Sequence, residues 1–90
     1  MDVAKFGIDD LAVGDRFEFE ETLTPALIDR FAALSGDVSP LHVDAAFAQS
    51  RGYGGRVAHG VLLGAFFSRL VGVHCPGENA VLQSINLKFS

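Results

Sequence analysis

An α+β domain built around one apolar helix that a sheet must cover is the fold class this sequence predicts. Three observations carry it. Residues 60 to about 73 have the length of a helix and are apolar on nearly every side, and such a helix has to be surrounded. Residues 17–20 and 80–89 instead have the patterning of strands. The chain is 90 residues long, 49% hydrophobic and 20% charged, which suits one domain over residues 1–90 and leaves no room for a second.

Taken in order, Val13-Gly14-Asp15 reads as a turn, after which Phe17 and Phe19 alternate with Glu18 and Glu20 at the period of a half-buried strand. Thr24 followed by Pro25 is an N-cap and first-turn pair. Leu27, Ile28, Phe31 and Leu34 then recur at helical spacing until Ser35-Gly36 stops the helix. Pro40 fixes its own φ and pushes Ser39 out of the helical region, so a constrained bend follows. Asp44 can cap a short helix over residues 45–50 with Phe47 pointing inward. Three glycines within four positions, Gly52-Tyr53-Gly54-Gly55, demand a loop.

The helix from Gly60 carries Val61, Leu62, Leu63, Ala65, Phe66, Phe67, Leu70 and Val71, and at about 1.5 Å per residue it is roughly 20 Å long. Pro76-Gly77 ends it. In residues 80–89, Leu82, Ser84, Asn86 and Lys88 oppose Val81, Ile85, Leu87 and Phe89, with Leu87 breaking the alternation, as in a bulge or a strand buried on both faces. Two strands make only a narrow ribbon and cannot wrap such a helix. The expectation is a sheet supplied only in part by this chain, completed by residues beyond Ser90 or by a second chain.

The formal charge of -4, with seven Lys and Arg scattered along the chain, argues against a nucleic-acid partner. The N-terminus lacks the basic stretch and apolar run of a secretory signal. The longest apolar segment, residues 61–67, falls well short of the roughly 20 residues of a membrane span. The expected setting is cytoplasmic, with no membrane partner. Cys75 is the sole cysteine, so no disulfide forms within the chain and a reducing compartment is the simplest setting. It has no basic neighbour but His74 and is not read as a nucleophile. His42, His59 and His74 with Asp37 and Asp44 are possible metal donors, but their spacings match no common zinc pattern, and no metal site is assigned.

The richest chemistry lies in Leu34-Ser35-Gly36-Asp37-Val38-Ser39-Pro40-Leu41-His42. Asp37 is a potential proton acceptor and His42 changes charge near neutral pH, so together they can move protons to and from a substrate. Asp37 alone would be read as an ordinary turn residue beside Gly36.

The run from Ala32 through Asp44, followed by Gly55-Arg56-Val57-Ala58-His59-Gly60, resembles the MaoC-like, (R)-specific enoyl-CoA hydratases over roughly residues 17–89. The family pattern is Asp-x-Asn-Pro-x-His, and here Ser39 stands where the family has asparagine. The resemblance implies the hotdog fold, a long central helix wrapped by a curved antiparallel sheet, with residues 1–90 forming one such domain that lacks its C-terminal part. It implies reversible syn hydration of a trans-2-enoyl-CoA to an (R)-3-hydroxyacyl-CoA, with Asp37 and His42 as acid and base and the Gly60 N–H polarising the thioester carbonyl.

Ser39, Val57, Ala58, His59, Leu63 and Ser68 are the candidate substrate-binding residues. For His59 a structural hydrogen bond is the weightier alternative. His74 reads as a surface residue at the end of the long helix. Arg51 and Arg56 read as solvated loop residues, with coenzyme A phosphates as the sharper alternative. No cofactor is implied, because coenzyme A belongs to the substrate. The implied partners are an acyl-CoA thioester and further copies of the chain in a homodimer or larger oligomer. Rival readings are a non-catalytic acyl-CoA-binding or assembly module, a remnant without activity and, less favoured, an acyl-CoA thioesterase.

Overall fold

Thr24 leaves helical geometry and its Oγ1 accepts a hydrogen bond from Leu27 N, so the first free donor of helix α1 (Pro25–Ser35) is satisfied locally, as the Thr-Pro pair predicts. Gly36 ends the helix at φ 78°, a left-handed conformation that glycine adopts without a Cβ penalty, and returns its N–H to Ala32 O. The computed structural model describes residues 2–90. They divide into two compact units, one spanning Glu21–Leu62 and the other made of the residues up to Glu20 together with Leu63–Ser90.

The first unit holds the core. After α1 come the short helices α2 (Pro40–Val43) and α3 (Ala45–Ser50), with α2 packed on both α1 and α3. Asp44 Oδ1 caps α3 by accepting from Phe47 N, as its position before the helix predicts. Ile28, Ala32, Ala48 and Leu62 are the buried apolar side chains. Two expectations shift here. Leu34 is exposed while Ala32, one turn after Ile28, takes the inward position. In α3 it is Ala48 that is sealed off, and Phe47 lies half-buried with the Arg51 guanidinium 4.6 Å above its ring.

Helix α4 (Gly60–Arg69) starts in this unit and continues into the next, where a π-helical turn (Leu70–His74) extends it. The predicted helical stretch is therefore present, but its last turn is widened. In the second unit, residues 4–6 run beside this turn: Ala4 N donates to Val73 O, Phe6 N to Pro76 O and Glu78 N to Ala4 O. One antiparallel bridge joins Lys5 to Gly77. Gly77 sits at φ 91°, and a Cβ there would run into the Ala4 main chain. A 3-10 turn (Ile8–Asp10) and a turn at Gly14 follow, the latter closed by Ala12 N donating to Asp15 Oδ2.

The expected strands are not formed among the described residues. Residues 17–20 and 80–89 have no ladder partner, and the Lys5–Gly77 contact is isolated. Alternation records which face a strand buries, whereas a ladder needs a neighbour to take its N–H and C=O groups. Nor is α4 enclosed, because Val61 and Phe67 are largely exposed. His74 corrects another expectation: it is half-buried, its ring stacked 4.8 Å from Phe19, and its Nε2 has no hydrogen-bond partner among the described residues. No helix among the described residues is long and apolar enough to cross a membrane.

Candidate active site

The Gly36 turn throws the chain off α1 directly into Asp37, and the bend is braced by its own polar groups. Ser35 Oγ donates to Phe31 O and accepts from Asp37 N at 3.1 Å. Asp37 Oδ1 accepts from Ser39 N at 3.2 Å, an Asx-type closure that holds the carboxylate over the turn. Pro40 then opens α2, being favoured at a first helical position because it has no N–H to leave unpaired. Two residues on, His42 faces back toward Asp37. The bend and the short helix together bring His42 Nε2 to 3.8 Å from Asp37 Oδ2.

The orientation of the His42 ring follows from its other nitrogen. Nδ1 lies 2.6 Å from Val57 O, and since a carbonyl only accepts, Nδ1 carries the proton. In the neutral ring Nε2 is then a bare acceptor pointing at the carboxylate. A separation of 3.8 Å is too long for a direct hydrogen bond. It suits one water about 2.8 Å from each atom, seeing them at an angle of roughly 85°. Asp37 is about half exposed and His42 largely covered, so the pair is open to solvent on the carboxylate side.

His59 lies under the pair. It is 2% exposed, its Nε2–H donates to Asp37 O at 2.9 Å, and its buried Nδ1 has no hydrogen-bond partner among the described residues. Its ring stacks on His42 with centroids 3.9 Å apart and meets Phe31 of α1 edge-on at 4.8 Å. This geometry favours the hydrogen-bonded reading of His59 over the substrate-contact one, because a sealed ring whose donor is already engaged has little to offer a ligand.

Arg56 is also held inward. Its Nε donates to His42 O at 2.6 Å, and its guanidinium pairs with Asp29 of α1. The solvated-loop and phosphate readings both give way to this engagement. Its signal in the sequence was weak, since an arginine after a glycine loop implies no partner.

Asp37, His42, His59, Ser39, Val57, Ala58 and Gly60 thus all belong to one unit. Ser39 is exposed, and its side chain makes no capping bond to α2. Val57 and Ala58 are half-buried, and Val57 N donates to Leu41 O. Gly60 is the first residue of α4, where an N–H has no intrahelical acceptor and the helix dipole favours negative charge. Leu63 and Ser68 are exposed positions further along α4, in the other unit.

Asp37, His42 and His59 each place a donor atom within 4.8 Å of the others, which is close enough to consider a metal ion. The two imidazoles, however, are tilted by only 24° and stacked, so their in-plane lone pairs run side by side and do not converge on a point about 2.0 to 2.1 Å from each. Two of the four ring nitrogens are also already spent on carbonyls.

The chain is similar to several known proteins. The (R)-specific enoyl-CoA hydratase of Aeromonas caviae is 37% identical over 79 residues, covering 88% of this chain and 59% of that protein. The (R)-specific enoyl-CoA hydratase of Rhodospirillum rubrum is 35% identical, covering 90% and 56%. The mitochondrial 3-hydroxyacyl-[acyl-carrier-protein] dehydratase of Arabidopsis thaliana is 33% identical, covering 87% and 47%. The unliganded R-hydratase PhaJ1 of Pseudomonas aeruginosa superposes with a TM-score of 0.78 at 36% identity, over 83% of this chain and 48% of that one. The chain spans about half the length of the relatives it matches, and its helical elements account for part of a hotdog fold. The family profile described as "MaoC like domain" matches residues 10–90, which include the turn from Asp37 to His42 and the segment leading into α4. The chain belongs to the MaoC-like domain family.

Proposed function

We propose that this chain carries the acid–base apparatus of a hydro-lyase that reversibly hydrates a trans-2-enoyl-CoA to an (R)-3-hydroxyacyl-CoA. The observation that carries the reading is the facing of Asp37 Oδ2 and His42 Nε2 at 3.8 Å, with Nδ1 of His42 tied to Val57 O. In hydration the water between them gives one proton to the pair as its oxygen bonds to Cβ, and the pair returns one proton to Cα on the same face. The pair acts as a single coupled unit. As the Cα proton arrives, negative charge that has built on the thioester oxygen is relieved, and the Gly60 N–H at the start of α4 is the proposed donor to that oxygen.

Ser39, Val57, Ala58, Leu63 and Ser68 are the proposed substrate-lining positions. On this reading α4 and its π-helical turn are the central helix of a single hotdog domain over residues 1–90, whose antiparallel sheet needs strands paired from elsewhere. The functional unit is a homodimer or larger, works in the cytoplasm and uses no separate cofactor, coenzyme A arriving with the substrate.

The rival reading, a non-catalytic acyl-CoA-binding module, draws on one fact: the chain spans about half the length of its relatives. Incubating the 90-residue chain with crotonyl-CoA separates the possibilities. Loss of the conjugated enoyl absorbance without free thiol supports the hydratase. Thiol release would make it a thioesterase, and binding with neither change would make it the module.

A further inference from the structure

The segment running from Arg56 to His59 makes four hydrogen bonds to the two turns that carry Asp37 and His42. Arg56 Nε donates to His42 O at 2.6 Å, and Val57 N to Leu41 O at 3.1 Å. Val57 O accepts from His42 Nδ1 at 2.6 Å, and His59 Nε2 donates to Asp37 O at 2.9 Å. Each member of the facing pair is thus held by its main-chain carbonyl from one short stretch of chain.

We infer that this stretch is a two-point clamp which sets the Asp37–His42 separation, with Arg56 and His59 as positioning residues acting through the backbone. The inference rests on the hydratase reading for its kinetic arm and stands apart from it for its structural arm.

Apart from the local bonds of the turn, in which Ser39 donates its N–H to Asp37 Oδ1 and accepts from His42 N at 2.9 Å, this segment is what ties the two residues together among the described residues. Asp37 lies on an exposed turn whose other braces, Ser35 Oγ and Ser39 N, are local to it. His42 lies in a four-residue helix with too few internal bonds to stand alone. Arg56 anchors that helix to α1 through Asp29, and a planar guanidinium can bond both partners at once. His59 is wedged between Phe31 and His42, so its ring fixes a spacing as well as a hydrogen bond.

Neither residue needs to touch substrate. A displacement of about 1 Å between groups that share a reacting water costs up to roughly 100-fold in rate.

The test compares His59→Ala, His59→Gln, Arg56→Ala and Arg56→Lys in the full 90-residue chain, by crotonyl-CoA hydration and by NMR of the Asp37 carbonyl carbon and the His42 ring nitrogens. Loss of the clamp is expected to lower kcat by about 10- to 100-fold in both alanine variants, with KM within about threefold. His59→Gln keeps a donor for Asp37 O and recovers most of the rate. Arg56→Lys recovers less, because one ammonium cannot reproduce the fork.

In the spectra, His59→Ala moves the Asp37 carbonyl resonance and Arg56→Ala disturbs the His42 ring, whereas His59→Gln leaves both near the parent's values. Unchanged Asp37 and His42 resonances in the alanine variants would overturn the clamp, as would equal losses for His59→Gln and His59→Ala. If an alanine variant fails to fold, the glutamine and lysine variants decide by the same readouts. A parent chain without turnover would sink the hydratase reading, and the resonances would still decide the clamp.

Discussion

Asparagine at position 37 removes a charge and a proton site while leaving the turn its brace. Asp37 Oδ1 accepts from Ser39 N at 3.2 Å, and an amide oxygen can take the same bond. The amide nitrogen then occupies the place of Oδ2, 3.8 Å from His42 Nε2, where it donates but cannot accept a proton. The Asp37 side chain is half exposed and its Oδ2 faces a neutral ring beyond direct hydrogen-bond reach, so the substitution is expected to cost no more than about 0.5 kcal/mol, a melting shift of at most roughly 2–4 °C for a chain of this size.

The kinetic cost is far larger. One positioned acid–base group contributes about 10²- to 10⁴-fold, which at about 1.36 kcal/mol per decade is roughly 2.7–5.4 kcal/mol of barrier. On the proposed hydratase mechanism, in which both residues hold one water, loss of either would stall both proton transfers, and Asp37→Asn is expected to lower kcat at least about 10³-fold. The assay is crotonyl-CoA hydration beside thermal melting by far-UV circular dichroism. A variant retaining more than a tenth of the parent kcat refutes the reasoning, as does a loss of activity that tracks a collapsed melting curve.

The fold makes its own predictions. Thr24→Ala deletes the α1 cap and costs about 1 kcal/mol, with faster amide exchange at Leu27 as the sign that the first turn frays. Ala48→Leu forces a larger side chain into a position with no exposed surface and costs about 1–3 kcal/mol by chemical denaturation, and an unchanged midpoint would show that α3 can move aside. Gly77→Ala sets a Cβ against the Ala4 main chain at a positive φ, so residues 4–6 should detach and the amides of Ala4, Phe6 and Glu78 lose exchange protection.

What could be read ahead of the structure was whatever local chemistry decides. Thr24-Pro25 and Gly36 bracket α1, and Asp44 starts α3, because caps and left-handed stops act over three or four residues. Asp37 and His42 were recognisable because five positions of stiffened turn bring them back together. The helix α2 is not specified by local signals: Pro40 stiffens a bend, and proline is equally at home at a first helical position. Arg56 went unread because its partners, Asp29 and His42 O, are 27 and 14 residues away, and a lone arginine names no partner. The strands failed for a related reason. The alternation at Phe17 and Phe19 marks a face, but pairing depends on a second segment that no local pattern identifies.

The closure of the Asp37 turn has one more consequence. Its donor at position 39 is the main-chain N–H, and the serine hydroxyl makes no capping bond. The turn is therefore indifferent to what side chain stands there, provided it is not proline, which would withdraw the N–H. Position 39 is a free variable beside a constrained pair: on the proposed hydratase reading, its residue could be exchanged to adjust selectivity while the spacing of Asp37 and His42 is inherited unchanged.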